Sequence, residues 1–168
     1  MSFREHQGVY LASNVIVTGN VVLATGVNLW YGTIIRGDIA QIKLETNANI
    51  QDGCILHTDF GVDLLIEEGV VAGHGAIIHG SRVGRNTLIG IGARILSGTL
   101  IGEESIIAAG SVVVEGAVIP PRSVVMGIPG KVVRQATDED IAKTISINQR
   151  YLELARSYTR NEIVFPYD

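Results

Sequence analysis

The stretch VGRNTLIGIGARILSGTLIGEESIIAAGSVVVEGAVIPPRSVV, residues 83–125, carries an aliphatic side chain at every sixth place: Val83, Ile89, Ile95, Ile101, Ile107, Val113, Ile119 and Val125. Four residues after each of the first seven stands a small side chain: Thr87, Ala93, Thr99, Ser105, Ser111, Ala117 and Ser123. A period of six is neither the 3.6 of a helix nor a plain alternation of two. It marks a solenoid in which each short strand forms one side of a coil and the chain turns a corner between units. The large aliphatic residue fills the middle of the coil, and the small one packs where a bulky chain would clash.

Outward from this stretch the period continues with two breaks. In the first half the aliphatic position runs Val9, Val15, Val21, Val27, then Thr33 and Ile39. It resumes one residue early at Leu44 and goes on through Ile50 and Leu56. The next in-phase residues are Leu65, Val71 and Ile77, so the unit from His57 to Leu64 holds about three extra residues. Residues added to a solenoid leave it as a loop on one face, often the binding face.

Composition agrees. The 168 residues suffice for one domain with a sizeable core, and the 20 Gly suit a chain of tight corners. A net charge of −4 with no basic run excludes an obvious nucleic-acid binder. Cys54, the one cysteine, sits at a small interior position and rules out an internal disulfide, which suits a reducing cytoplasm. Neither a signal peptide nor an apolar run of membrane-spanning length is visible. The coil is expected over residues 1–130, followed over 131–168 by a helix and tail packing on it. Thr137-Asp138-Glu139-Asp140 resembles a capping box, and Ile141, Ile145, Asn148, Leu152 and Ala155 form a helical seam running to about Tyr158. The tail from Asn161 to Asp168 is expected to be extended or loose, with Pro166 opposing regular structure.

Three of the four histidines cluster: His57, His74 and His79. With three units per turn, the units of Leu44, Ile50 and Leu56 take faces A, B and C, and those of Leu65, Val71 and Ile77 take the same faces one turn later. His57 and His79 then share face C on neighbouring rungs, about 4.8 Å apart, while His74 lies on face B. Two imidazoles on one face can hold one metal ion. If face B of one subunit packs beside face C of the next in a symmetric trimer, His74 of the neighbour completes a three-nitrogen site. Zinc with three His ligands and an open fourth position is a catalytic arrangement. The same count puts Arg36, Asp38, Gln51 and Asp52 on face B. There Arg36 is expected to pair with Asp38 or Asp52 and hold the subunit contact in register, and Gln51 to bond the water on the metal.

Taken together and in order, the hexapeptide solenoid, Arg36-Gly37-Asp38, Asn49-Ile50-Gln51-Asp52-Gly53, His57 and Gly73-His74 with His79-Gly80 resemble the gamma-class carbonic anhydrase family over nearly the whole chain. The resemblance implies a left-handed parallel β-helix and a homotrimer with a metal at each subunit boundary. It implies His57, His74 and His79 as ligands, Arg36 and Asp38 as the interface pair, and Gln51 and Asp52 around the bound water. Asn148 or Tyr151 matches polar helix groups that reach the site in relatives. The implied activity is that of a carbonic anhydrase-like lyase, the reversible hydration of carbon dioxide to bicarbonate by metal-bound hydroxide. Zinc is the default ion, and iron or cobalt suits three imidazoles as well.

Two departures stand out. Ile39 occupies the place of a glutamate in well-characterised active members, and the short insertion offers only Asp59 and Asp63 where those members carry a proton-shuttle glutamate. Asp59 is the candidate relay. Two other functions share the scaffold. One is a metal-binding homologue with little hydratase activity and a thioesterase or acyl-CoA-linked role. The other is a coenzyme A-dependent hexapeptide acyltransferase.

Overall fold

The computed structural model describes residues 3–163. They form a left-handed parallel β-solenoid of about six turns with one C-terminal helix. Face B is built from Val9–Ala12, Asn28–Leu29, Asn49–Ile50, Val71–Ala72, Leu88–Ile89, Ile106–Ile107 and Ser123–Met126. Face C holds the first halves of Ile16–Leu23 and Ile34–Leu44, then Ile55–His57, Ile77–His79, Arg94–Ile95 and Val112–Val113. Face A holds the second halves of those two long strands, then Leu64–Ile66, Arg82–Val83, Leu100–Ile101 and Val118–Ile119. The core is the column inside: Leu29, Ile35, Leu44, Ile50, Leu56, Ile66, Ile78, Ile89, Ile95 and Ile107 are fully buried.

The inward positions differ from the sequence reading in two places. In the second half of the coil the phase holds from Val83 onward. One turn earlier, however, Leu44 pairs with Ile66 and Leu56 with Ile78, so the central residues are Ile66, Ala72 and Ile78 rather than Leu65, Val71 and Ile77. The inserted loop therefore adds four residues, and one is given back between Ile78 and Val83. In the first half, Val27 and Thr33 do point inward, but at the small position two residues ahead of Leu29 and Ile35. Ile39 lies outside, 36% exposed. The cause is the alternation of a strand. Each six-residue unit has two inward positions two residues apart, and an aliphatic at either one fits the period. The first-half residues were thus counted on the wrong member of the pair. Arg36 pairs in register with His57, which places Arg36 and Asp38 on face C and not on face B.

The sheet runs past residue 130: Lys131–Gln135 pairs antiparallel with Ser123–Met126. The helix spans Asp138–Thr159, with Thr137 as its cap and the reciprocal Thr137–Asp140 bonds of a capping box. Its buried residues are Ile141, Thr144, Asn148 and Ala155, close to the expected seam. It covers face B, and its far end joins Phe3, Trp30, Tyr31, Tyr151 and Tyr158 in an aromatic cluster. Pro166 lies outside the described residues. Among the described residues nothing covers face C in this way. Its outward column Ile16, Ile34, Ile55, Ile77, Arg94 and Val112 is aliphatic at all but one rung, with Ile16 52% and Ile55 39% exposed.

Candidate metal centre

His57 and His79 close their strands on adjacent rungs of face C and are directly in register. Their side chains meet: His57 Nδ1 lies 3.1 Å from His79 Nε2. The opposite ring nitrogens are both held. His57 Nε2 is 3.0 Å from Asp38 Oδ1, and His79 Nδ1 is 2.7 Å from Ser97 Oγ. Arg36 bonds the other oxygen of Asp38.

These contacts favour one placement of the ring protons. The Arg36 guanidinium, and after it the His57 ring, holds the Asp38 carboxyl below its ordinary value of 3.8. Asp38 is therefore an acceptor, and His57 carries its proton on Nε2. The hydroxyl of Ser97 donates to Asp59 Oδ2 at 3.2 Å, so its oxygen accepts from His79 and the His79 proton sits on Nδ1. Two nitrogen lone pairs are left facing each other. That arrangement is repulsive unless a cation lies between them. Two imidazole nitrogens on one tetrahedral zinc stand about 3.3 Å apart, close to the observed 3.1 Å. The donor set fits a metal ion.

His74 follows the same rule at the corner between faces B and C. Its Nδ1 is 2.9 Å from Asp52 Oδ2, and the Tyr151 hydroxyl donates to its Nε2 at 3.2 Å. Burial, and then the charge of Asp52, pushes the Tyr151 phenol pKa up, which keeps that donor protonated. The preceding Gly73 has no room for a side chain, since a Cβ would stand 2.9 Å from the backbone nitrogen of Ile91 on the next rung. Within one chain, no group of three or more His, Cys, Asp or Glu able to hold a metal forms among the described residues. His74 stays apart from the His57–His79 pair.

The remaining expected site residues divide. Gln51 is buried on face B beside His74, with its Oε1 accepting the His74 backbone N–H and its Nε2 donating to Asn49. Both ends of the amide are thus engaged within the chain. Asp63 accepts from the Gln41 backbone and stays with the loop. Asn148 is not brought to the histidines: its amide donates to the carbonyls of Asn47 and Gly69 and fastens the helix to the coil. Arg36 pairs with Asp38 in its own chain. Ser97 was missed because nothing in the sequence separates it from the other small corner residues. Cys54 is buried, and burial pushes its thiol up to about 12, which makes it inert.

The Arg36–Asp38 contact has a pH signature. A depressed carboxyl pKa contributes stability above the unfolded value and loses it as pH falls through the folded value. A carbon-13 NMR titration should place the Asp38 midpoint below 3.8. Arg36→Ala should move it back toward the ordinary value, and an unmoved midpoint would remove Arg36 as the cause.

Residues 80–115 match the bacterial transferase hexapeptide family (six repeats). The chain is 43% identical to a carbonic anhydrase of Geobacillus kaustophilus, over 89% of this chain and 82% of that protein. It is 46% identical to a "Probable carbonic anhydrase" of Methanocaldococcus jannaschii, over 90% of this chain and 95% of that protein. It is 39% identical to the carnitine operon protein CaiE of Citrobacter koseri, over 89% and 76% of the two chains. Among solved structures, a Bacillus cereus protein provisionally named an acetyltransferase superposes with a TM-score of 0.90 at 35% identity, covering 92% of this chain and 90% of that one. The shared coil, the register of its histidines and these identities over most of each sequence lead to one assignment: the chain belongs to the gamma-class carbonic anhydrase-like family of hexapeptide-repeat proteins.

Proposed function

We propose that the protein is a metal-dependent carbonic anhydrase-like lyase that reversibly hydrates carbon dioxide to bicarbonate, working as a homotrimer in the cytoplasm. The carrying observation is the approach of His57 Nδ1 to His79 Nε2 at 3.1 Å, with Asp38 and Ser97 on their far nitrogens. His57 and His79 of one subunit and His74 of the next would hold the ion. Zinc is the default, with ferrous iron or cobalt also suited to three imidazoles. Such an ion supplies a Lewis acid that makes water acidic near neutral pH.

The chain's own residues do the rest. Asp38, Asp52 and Ser97 each hold the far nitrogen of one imidazole, which orients its lone pair. Tyr151 donates to His74 Nε2 within the chain, and that bond gives way when His74 serves a neighbour's site. The uncovered aliphatic column of face C supports packing against other subunits. That column is exposed at Ile16 and Ile55, and His57 and His79 lie along its edge.

Protein purified without chelator should contain about one metal ion per histidine set and should hydrate carbon dioxide in a stopped-flow assay. Both should be lost on chelation and restored by zinc or ferrous iron. A protein that takes up neither ion would overturn the reading.

A groove favours a second reading. A cavity of about 460 Å³ runs along the helix from His74 and Tyr151 to Lys143, walled by Leu88, Ile91, Ile106 and Ile147. It is far larger than carbon dioxide needs, and its size and apolar walls suit an acyl chain. Metal retained without hydration, together with hydrolysis of acyl-coenzyme A, would move the assignment to a thioesterase-like role. Acetyl-coenzyme A consumption that ignores chelators would move it to acyl transfer.

A further inference from the structure

We infer that Asp59 and Ser97 are positioning residues that set the tautomer of His79, so that the short inserted loop serves to keep a lone pair pointed into the site and not to carry protons. This rests on the metal reading above only for its affinity readout. The tautomer itself is a property of the chain.

The three residues come from three successive rungs and meet in one line. Asp59 follows His57 at the end of its strand, His79 stands one turn on, and Ser97 one turn further. The loop that carries Asp59 is pinned. Asp59 and Val62 form an isolated antiparallel bridge, the Thr58 hydroxyl oxygen accepts from the Ala40 backbone, and Asp63 accepts from Gln41. Both carboxylate oxygens of Asp59 are in use: Oδ1 accepts from the Phe60 backbone N–H and Oδ2 from the Ser97 hydroxyl. A carboxylate tied at both oxygens to a pinned loop is poorly built as a mobile proton carrier.

The direction of these bonds carries the chemistry. A serine hydroxyl has one proton. With that proton given to Asp59, the Ser97 oxygen can only accept from His79, so His79 keeps its proton on Nδ1 and its lone pair on Nε2. Remove the carboxylate and the hydroxyl is free to turn and donate to Nδ1. The His79 proton then moves to Nε2, which faces His57 Nδ1 at hydrogen-bond distance. The two rings would satisfy each other as N–H···N, and the site would close on itself with no place for a cation. Asp59 therefore acts at two removes from the ion, by denying His79 this internal bond.

The test uses full-length, metal-free protein with nitrogen-15-labelled histidine. Long-range proton–nitrogen correlation should show wild-type His79 as the Nδ1–H tautomer, and Asp59→Ala and Ser97→Ala shifted toward Nε2–H. Zinc and cobalt affinity, measured by chelator competition, should fall about 10- to 100-fold in both variants. Ser97→Thr, which keeps the hydroxyl, should stay near wild type. Thermal melting of the metal-free variants separates this effect from misfolding. An unchanged tautomer with unchanged affinity, and a hydration defect in Asp59→Ala that added imidazole buffer restores, would overturn the inference and return Asp59 to a proton-shuttle role. A wild type that binds neither zinc nor cobalt would instead sink the metal reading, and the tautomer measurement would still decide this one.

Discussion

Mixing the His57→Ala and His74→Ala variants is expected to restore about a quarter of the metal and hydratase activity that each variant lacks alone. In the proposed symmetric trimer each single variant would spoil every site, because each site would draw on both positions. Alone, each should fall roughly 10³-fold in activity, the several kcal/mol that a metal ion contributes to a hydration step. When the two are unfolded together and refolded in equal amounts, a site is whole only where a subunit with His57 meets a neighbour with His74. Random assembly gives that arrangement at about one site in four. The single-chain geometry motivates the test: His57 and His79 meet, and His74 stands apart, bonded to Asp52 and Tyr151. If ligands from one chain sufficed, mixing would restore nothing. That null result would refute the shared site even if each variant alone were dead.

Ile78→Ala is expected to destabilise the fold by about 2–5 kcal/mol. Ile78 is fully buried, stacked in register between Leu56 on the rung before and Ile95 on the rung after. Each rung of a solenoid touches only its neighbours, so nothing beyond those two can move in to fill the hole. The loss should appear as a lower urea midpoint with little change in slope. Val118→Ala removes the two γ-methyl groups of a side chain that is 69% exposed on face A, and should stay within about 0.5 kcal/mol. Equal effects from the two would mean that the inward column is not what holds the coil together.

The legible parts of this fold are those written as repetition. From Val83 to Val125 each inward residue recurs at six, and the structure follows it rung by rung. The helix was equally plain, since a cap, a capping box and an amphipathic seam are local signals. The histidine pair could be found because it falls in one phase of one face. Its exact register depended on how the inserted loop was absorbed, and period alone does not say where a coil gives residues back. Asn148 shows the opposite failure. A polar residue in an apolar helical seam suggests a reach toward chemistry, yet two corner carbonyls claim it.

Sequence alone thus determined the coil and its C-terminal helix and marked out the His57–His79 pair that the coil brings together, because aliphatic period and residue type survive without coordinates. Only the tertiary structure decided which of two inward positions each first-half residue takes. Ile39, counted as a rung of its own, lies outside the coil, and removing that rung moves Arg36 and Asp38 onto the histidine face. Only the structure brought Ser97 to His79 and Asp59, three rungs joined by side chains that sequence separates by 38 positions between Asp59 and Ser97. The physical reason is that a strand turns alternate residues inward. A hydrophobic pattern fixes the period of a solenoid and leaves a two-residue ambiguity in its phase, which cross-rung pairing resolves.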